Sequence, residues 1–152
     1  MSIPGSHREG RLPDATKEAF STDEEGCRWY RSGDLAQYDP GDDVYRIVGR
    51  IKEVIITGGF NVYPAEVEAA IEGFANVRAC AVVGKPDAAR GEVPVAFVEA
   101  AGALDAEALL AELRKRIASF KLPKEVRVVE TLPRNAMGKL DKPALRALLG
   151  QT

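Results

Sequence analysis

The feature that most constrains this chain is a stretch of twenty residues, 49–68, in which a β-branched run is followed by two glycines and a proline. Residues 54–57 are Val-Ile-Ile-Thr, bounded by charge and by glycine, which predicts a short buried strand. Gly58 and Gly59 allow the backbone a positive φ or a close approach to a ligand. Pro64 suits the first position of a helix. These residue types alone predict an ordinary strand–turn–helix unit.

The composition excludes several classes of protein. The 152 residues, 45% of them hydrophobic, suffice for one domain with its own core. Because 21 basic and 23 acidic residues are intermixed, with a net charge of −2, we expect no nucleic-acid or anionic-membrane partner. Cys27 and Cys80 are far apart and His7 is the only histidine, so we expect neither a metal site nor a disulfide framework, and Cys80 is predicted to be buried. No apolar run reaches membrane-spanning length and no signal-peptide pattern is present, which predicts a cytoplasmic protein.

The region after residue 63 alternates between helical and β-branched patterns. An amphipathic helix starting at Pro64 is predicted from the spacing of Val67, Ile71 and Phe74, and Gly73 is expected to end it. The further predicted elements are antiparallel strands at 77–84 and 93–100 joined by a polar loop, a helix from an N-cap at Asp105 to Phe120, a strand at 126–129, a loop at 131–140 and a last helix starting near Pro143. The sequence therefore predicts an α+β fold, a small two-layer sandwich with a mostly antiparallel sheet and flanking helices.

Weaker patterns precede this region. Residues 1–10 follow no pattern, and residues 12–20 predict a short helix that begins at a proline. Two strands, 28–37 and 44–48, flank a turn rich in proline, glycine and aspartate at 38–43. We therefore expect a β-hairpin ahead of the sandwich.

Two pairs of residues suggest functions that we do not adopt. Trp29 and Tyr30 are aromatic neighbours, but they lie on a predicted strand and are expected to be core residues rather than a base-stacking surface. Glu66 and Glu68 face opposite ways at the start of a predicted helix and are not expected to form a catalytic dyad.

Three stretches of the sequence, in a fixed order, carry a family resemblance. Residues 29–35 are Trp-Tyr-Arg-Ser-Gly-Asp-Leu, residues 49–68 are described above, and residues 133–142 are Pro-Arg-Asn-Ala-Met-Gly-Lys-Leu-Asp-Lys. They resemble the seventh, eighth and tenth core motifs of the adenylate-forming superfamily, which includes acyl-CoA synthetases, aryl-CoA ligases, peptide-synthetase adenylation domains and luciferases. The resemblance runs from about Arg11 to Leu149.

The resemblance implies a division of the chain into three regions. Residues 1–10 are an unmatched segment or a cloning remnant, residues 11–51 are the tail of a large N-terminal domain that includes the hairpin, and residues 52–152 are a mobile C-terminal lid. The family's phosphate-binding loop, magnesium-binding glutamate and acid pocket lie upstream of these motifs. We therefore expect this chain to be the C-terminal part of a larger ligase and to be inactive alone.

Three residues are implied to act on the nucleotide. Lys139 lies in a glycine-containing loop from which a lysine can extend into a neighbouring site, and the resemblance implies that it is the catalytic lysine of adenylation. Asp34 is implied to accept hydrogen bonds from the ribose hydroxyls, and Arg50 to lie near the ribose and phosphates. The alternatives stay open: a solvated loop lysine, a turn-capping aspartate, and an arginine paired with Glu53.

The eighth motif is also implied to contain a hinge and a channel. Lys52 occupies the position of the family's hinge, about which the lid rotates between an adenylating and a thioester-forming pose. Gly58 and Gly59 are implied to line the channel of the pantetheine arm, where a side chain would obstruct the thiol. The alternatives are a surface lysine and the glycines of a tight turn.

The implied substrates are ATP, with Mg²⁺ held by a ligand in the missing N-terminal domain, CoA as co-substrate, and a fatty or aromatic carboxylic acid. The implied reaction forms acyl-AMP and then the CoA thioester. Two alternatives stay open: an adenylation domain that loads a carrier protein, and a stand-alone interaction module without activity. The expected partner is the N-terminal domain of the same enzyme, and the hairpin has an edge through which a second copy can pair.

Overall fold

The computed structural model of this chain describes residues 18–150, which divide into two compact units between Asp34 and Leu35. The predicted unmatched segment 1–10 and the start of the helix predicted at 12–20 lie outside the described residues. Of the described part of that predicted helix, Glu18 and Ala19 are helical, whereas Phe20 begins β1 (Phe20–Thr22).

The first unit contains a two-stranded antiparallel sheet of β1 and β2 (Arg28–Tyr30). Asp23 closes the connection between the strands, since its Oδ2 accepts a hydrogen bond from Trp29 Nε1 at 2.6 Å and its Oδ1 accepts one from Cys27 N at 2.8 Å. The prediction that Trp29 and Tyr30 are core residues is wrong, because they are 61% and 65% exposed. Their strand pairs with β1 alone in a two-stranded sheet, which leaves its side chains without a covering layer in this unit.

A hairpin of β3 (Asp34–Asp39) and β4 (Val44–Arg50) precedes the main sheet. Asp43 takes a positive φ of 53° in its turn and accepts a hydrogen bond from the hydroxyl of Tyr38 at 2.6 Å. The predicted hairpin is confirmed, although the strand predicted at 28–37 is interrupted where Gly33 has a φ of 77°.

The main sheet has five strands: β5 (Ile55–Thr57), β6 (Phe60–Val62), β7 (Val77–Asp87), β8 (Gly91–Ala100) and β9 (Glu125–Val129). Their order is β6-β5-β8-β7, and β9 lies parallel to β8 on the side that β5 also occupies. All other pairs are antiparallel. The structure thus confirms the predicted mostly antiparallel sheet.

Two details of the sheet differ from prediction. The glycine pair leads into a second strand, β6, so that the motif is a hairpin followed by a helix rather than a simple strand–turn–helix. The polar loop predicted between the long strands is mostly strand, because β7 and β8 stay paired as far as Asp87 and Gly91. Ile55 and Thr57 are buried as predicted, whereas Ile56 is 55% exposed because alternate side chains of a strand point to opposite faces.

Three helices pack on this sheet: α1 (Pro64–Glu72), α2 (Ala106–Leu113) and α3 (Lys142–Leu149). Pro64 is at the start of α1, as predicted, and Gly73 follows its end. The predicted N-cap is confirmed, since Asp105 Oδ1 accepts from the backbone N of Glu107 and Ala108 at 2.9 and 3.2 Å.

The helix α2 is shorter than predicted. It ends at Leu113 instead of continuing to Phe120. Residues 114–117 form turns and a bend, and Ala118 is extended (φ −61°, ψ 145°) ahead of a separate 3₁₀ turn, Ser119–Lys121. That turn stacks Phe120 on Phe60 of β6, with ring centroids 4.8 Å apart.

Alternate residues of β7 belong to two hydrophobic clusters, one on each face of the sheet. Cys80 and Val82 pack with the apolar sides of α1 and α2, whereas Ala81 and Val83 pack with α3. Cys80 is buried as predicted, and burial, with the nearby charges of Glu68 and Glu72, raises the pKa of its thiol. The α+β prediction is confirmed, with helices on both faces. None of the helices among residues 18–150 is long and apolar enough to cross a membrane.

Candidate functional site

Residues 133–141 form a hydrogen-bonded loop between β9 and α3. Asn135 organises it: its Oδ1 accepts from the backbone N of Met137 and of Lys139 at 3.0 Å each, and its own backbone N donates to the carbonyl of Lys139 at 2.8 Å. Gly138 has a φ of 76°, and its carbonyl accepts from Arg134 Nη1 at 3.1 Å. The sequence suggested an exposed and flexible loop. It is exposed, but its backbone is tied by these bonds.

Lys139 is exposed on this loop, and among the described residues no carboxylate forms an ion pair with it. Asn135 hydrogen-bonds both the backbone N–H and the backbone carbonyl of Lys139, while the four-carbon side chain of Lys139 can extend from this fixed backbone. The ammonium group is therefore presented outward from a defined position, and is not locked in the interior of the domain.

Asp34 and Arg50 stand at strand ends. Asp34 begins β3 and is half-buried, and its backbone N donates to Ser32 Oγ at 3.2 Å. Arg50 ends β4 and is exposed, with extended backbone (φ −114°, ψ 139°). Strand ends are common positions for binding side chains, because the scaffold orients them while they remain accessible.

Lys52 is the middle residue of a 3₁₀ turn, Ile51–Glu53, that directly follows β4. The turn buries none of its residues, and the hydrogen bond that closes it, from Val54 N to Ile51 O, is long at 3.4 Å. Short 3₁₀ turns between regular elements can absorb changes in φ and ψ at low cost. The local structure at Lys52 therefore suits a hinge.

Gly58 and Gly59 form the two-residue turn that joins β5 to β6. Their φ values are 55° and 85°, and positive φ at both central residues is the pattern of a type I′ hairpin. A Cβ at either position would meet no atom within 4 Å, so within this chain both glycines are required by conformation rather than by crowding. The turn rests on the end of β8, because Gly58 N donates to the carbonyl of Arg90 at 2.9 Å.

Lys142 joins the Ile51–Glu53 turn to the start of α3. Its Nζ lies 2.8 Å from Glu53 Oε2 and 2.9 Å from Glu68 Oε1, and its side chain is 14% exposed. Glu68 Oε1 also accepts from Val82 N on the edge strand β7 at 2.8 Å. The structure therefore connects the Lys52 turn, α1 and the Lys139 loop through one ammonium group. Sequence reasoning missed this cluster, because Lys142 and Glu53 are 89 residues apart and no local spacing relates them.

A cavity of about 220 Å³ opens beside the glycine turn. Its lining includes two cationic side chains and one aromatic ring; the residues are Thr57, Arg90, Val93, Pro94, Phe120, Leu122 and Lys124. Lys124 Nζ is 2.6 Å from Asp87 Oδ2, and this hydrogen bond lowers the pKa of the Asp87 carboxyl. No local pattern in the sequence indicates this cavity, because three separate segments supply its walls.

Comparison with known proteins gives consistent matches. Residues 66–139 match the family of the AMP-binding enzyme C-terminal domain. A feruloyl-CoA synthase from Amycolatopsis is 44% identical over 140 residues, which are 91% of this chain and 27% of that protein. The long-chain-fatty-acid–CoA ligase FadD13 from Mycobacterium tuberculosis is 40% identical over 135 residues, 88% of this chain and 26% of that protein.

The fold of the chain also matches solved structures. The crystal structure of ATP-bound MatB from Rhodopseudomonas palustris superposes with a TM-score of 0.79 at 38% identity, covering 93% of this chain and 27% of that protein. The chain therefore spans about a quarter of the length of the relatives that it matches.

The chain belongs, through residues 66–139, to the AMP-binding enzyme C-terminal domain family. Its relatives are acid–CoA ligases by name.

Proposed function

We propose that this chain is the lid of a carboxylic acid–CoA ligase. The complete enzyme would join the acid to the α-phosphate of ATP, releasing pyrophosphate, and would then transfer the acyl group to the thiol of CoA, releasing AMP. The observation that carries the proposal is the outward-facing ammonium of Lys139, held on a hydrogen-bonded backbone and without a carboxylate partner among the described residues.

Lys139 would act in the first half-reaction. As the carboxylate oxygen attacks the α-phosphate, negative charge accumulates in the transition state, and a fixed cation placed there stabilises it. The loss of one such electrostatic contact typically lowers the rate by roughly 10²- to 10³-fold. The backbone bonds from Asn135 support this role, since they limit where the ammonium group can go.

We assign Asp34 and Arg50 to the nucleotide. An ionised carboxylate can accept two hydrogen bonds at once, which matches the vicinal hydroxyls of a ribose, and a guanidinium group matches phosphate oxygens. The Mg²⁺ ligand belongs, in this proposal, to the domain upstream of residue 11. Residues 18–150 contain no group of three His, Cys, Asp or Glu side chains suited to a metal ion.

We assign the hinge to Lys52 and the thiol channel to the turn of Gly58 and Gly59. Residues 52–152 would rotate as the lid, while residues 11–51 would belong to the large N-terminal domain, the main partner of this chain. The exposed 3₁₀ turn at Lys52 supports the first assignment, and the open space in front of both glycines supports the second.

The acid is proposed to be fatty or aromatic, since the names of two relatives specify one acid of each kind. We further propose that the enzyme acts in the cytoplasm and that the β3–β4 hairpin, with its exposed Tyr45 and Ile47, can pair with a second copy when its sheet neighbours are missing.

The proposal is tested by measuring which thiol accepts the acyl group. The full-length protein, supplied with ATP, Mg²⁺ and a panel of fatty and aromatic acids, is expected to release pyrophosphate in an acid-dependent reaction and to form acyl-CoA from free CoA. Transfer to a phosphopantetheine-bearing carrier protein, with none to free CoA, would support the carrier-loading alternative instead. A protein that releases no pyrophosphate with any acid would be an interaction module.

A further inference from the structure

Two glutamates of β8 each hold a segment assigned above to the function. One holds the hairpin with the Gly58–Gly59 turn, and the other holds the loop that carries Lys139. Glu92 lies near the start of the strand and Glu99 near its end, and both are half-buried. Glu92 Oε2 accepts a hydrogen bond from the backbone N of Ile56 at 3.3 Å, and Glu99 Oε2 accepts one from the backbone N of Leu132 at 3.1 Å. Both bonds run from a side chain to the backbone of a distant segment.

The Glu92 contact replaces a missing part of the sheet ladder. Strands β5 and β8 share one residue pair, Thr57 with Gly91, and the Gly58 amide continues the contact onto Arg90. On the other side of that pair, the N–H of Ile56 is bonded by the Glu92 carboxylate instead of by a backbone carbonyl. The hairpin that carries the glycine turn is therefore fixed to β8 by a side chain.

Gly84 on β7 provides the room for this carboxylate. A Cβ at Gly84 would lie 2.8 Å from Glu92 Oε1, closer than carbon and oxygen atoms approach without a bond. Because the obstructing atom is the end of a flexible side chain, Gly84→Ala would displace the carboxylate from Ile56 at little cost to the strand itself.

The Glu99 contact holds the base of the Lys139 loop. Leu132 is 1% exposed and packs in the same cluster as Leu145 of α3. Two residues later, Arg134 begins the bridge to Leu140 that closes the loop. The Glu99 carboxylate therefore sets where the loop leaves the sheet, and with it the direction in which Lys139 is presented.

We propose that Glu92 and Glu99 are positioning residues, one for each half-reaction. Glu92 positions the turn at which the thiol arrives, and Glu99 positions the loop that carries the adenylation lysine. The inference deepens the proposed function and rests on it. Each glutamate acts through the backbone amide that it binds, Ile56 for Glu92 and Leu132 for Glu99.

The first test is amide hydrogen exchange on the 152-residue chain, which needs no enzymatic activity. Glu92→Ala is expected to accelerate exchange at Ile56 and Gly58 by about tenfold or more, the usual consequence of losing a hydrogen bond to a charged group, and to leave Leu132 unchanged. Glu99→Ala is expected to accelerate exchange at Leu132 and to leave Ile56 and Gly58 unchanged. Glu92→Gln retains an acceptor oxygen and should restore most of the protection at Ile56.

Gly84→Ala separates the anchoring role from a general loss of stability. Alone, it should accelerate exchange at Ile56 as Glu92→Ala does. In a protein that already carries Glu92→Ala it should add almost nothing, because the displaced carboxylate is gone. Additive effects of the two substitutions would overturn the proposed contact.

The second test measures the half-reactions of the full-length protein. Glu92→Ala should raise the KM for CoA by about tenfold or more and leave acyl-AMP formation within about twofold of wild type, whereas Glu99→Ala should slow acyl-AMP formation and spare thioester formation from supplied acyl-AMP. Equal losses in both half-reactions, or no loss in either, would overturn the inference while the proposed function stands. A wild-type enzyme without ligase activity would refute the proposed function and this arm together.

Discussion

Substitution of Lys142 by methionine should destabilise the domain more than any exposed lysine substitution. Methionine retains an unbranched apolar stem, so the change removes the ammonium group and little packing. It leaves Glu53 and Glu68, whose side chains are 25% and 17% exposed, without the cation that they share.

The magnitude follows from the burial of the cluster. Breaking a fully buried ion pair costs about 3–5 kcal/mol and an exposed pair contributes about 0–1 kcal/mol, so a cluster of this intermediate exposure should lose about 2–3 kcal/mol in the free energy of unfolding. For a chain of this size that corresponds to a fall in Tm of about 10 °C.

Lys115→Met is the matched control. Lys115 pairs with Glu112 on the surface, where the two side chains are 69% and 50% exposed, and its loss should cost no more than about 0.5 kcal/mol. Urea denaturation of the chain, followed by circular dichroism, measures both variants. Equal destabilisation by Lys142→Met and Lys115→Met would refute the view that the Lys142 cluster holds the Ile51–Glu53 turn to the domain.

Three further predictions concern stability and reactivity. Asp105→Ala should lower the free energy of unfolding by about 1 kcal/mol, measured by urea denaturation, because it removes the N-cap of α2. In the native chain a thiol reagent at mildly alkaline pH should modify exposed Cys27 and spare Cys80, whose burial raises its thiol pKa; modification of both before unfolding would contradict this. Lys124 lowers the pKa of Asp87 in the folded state, so Asp87 stabilises the fold above its ordinary pKa of 3.8 and loses that contribution as the pH falls through its folded pKa. The stability difference between wild type and Asp87→Asn should therefore shrink in acid, and a difference that grows would be inconsistent with the pairing.

The parts of the fold that the sequence predicted are those set by local chemistry. The start of α1 at Pro64, the cap at Asp105 and the pairing of the two long strands follow from residue types within a few positions of each other. The strand β6 was missed, because its three residues after the glycine turn are too few for an alternation to be visible.

The features that escaped prediction depend on contacts distant in sequence. The apolar spacing suggested that α2 continued to Phe120, whereas in the structure the helix ends at Leu113 and Phe120 stacks on Phe60 of β6. In the same way, Glu92 accepts a hydrogen bond from the backbone amide of Ile56, which is 36 residues away in the sequence. Glu99 accepts one from the backbone amide of Leu132, which is 33 residues away. The motif resemblance selected Lys139, but only the structure shows the Asn135 bonds that fix its backbone.

The central claim is that the lid supplies the ammonium group of Lys139 to the adenylation step. The direct measurement is the rate of each half-reaction in the full-length Lys139→Ala protein, with Lys115→Ala, a surface substitution elsewhere on the lid, as the control. We expect acyl-AMP formation to fall by at least about 10²-fold, while thioester formation from supplied acyl-AMP stays near the control rate. Equal loss of both steps, or an unchanged rate of acyl-AMP formation, would contradict the claim.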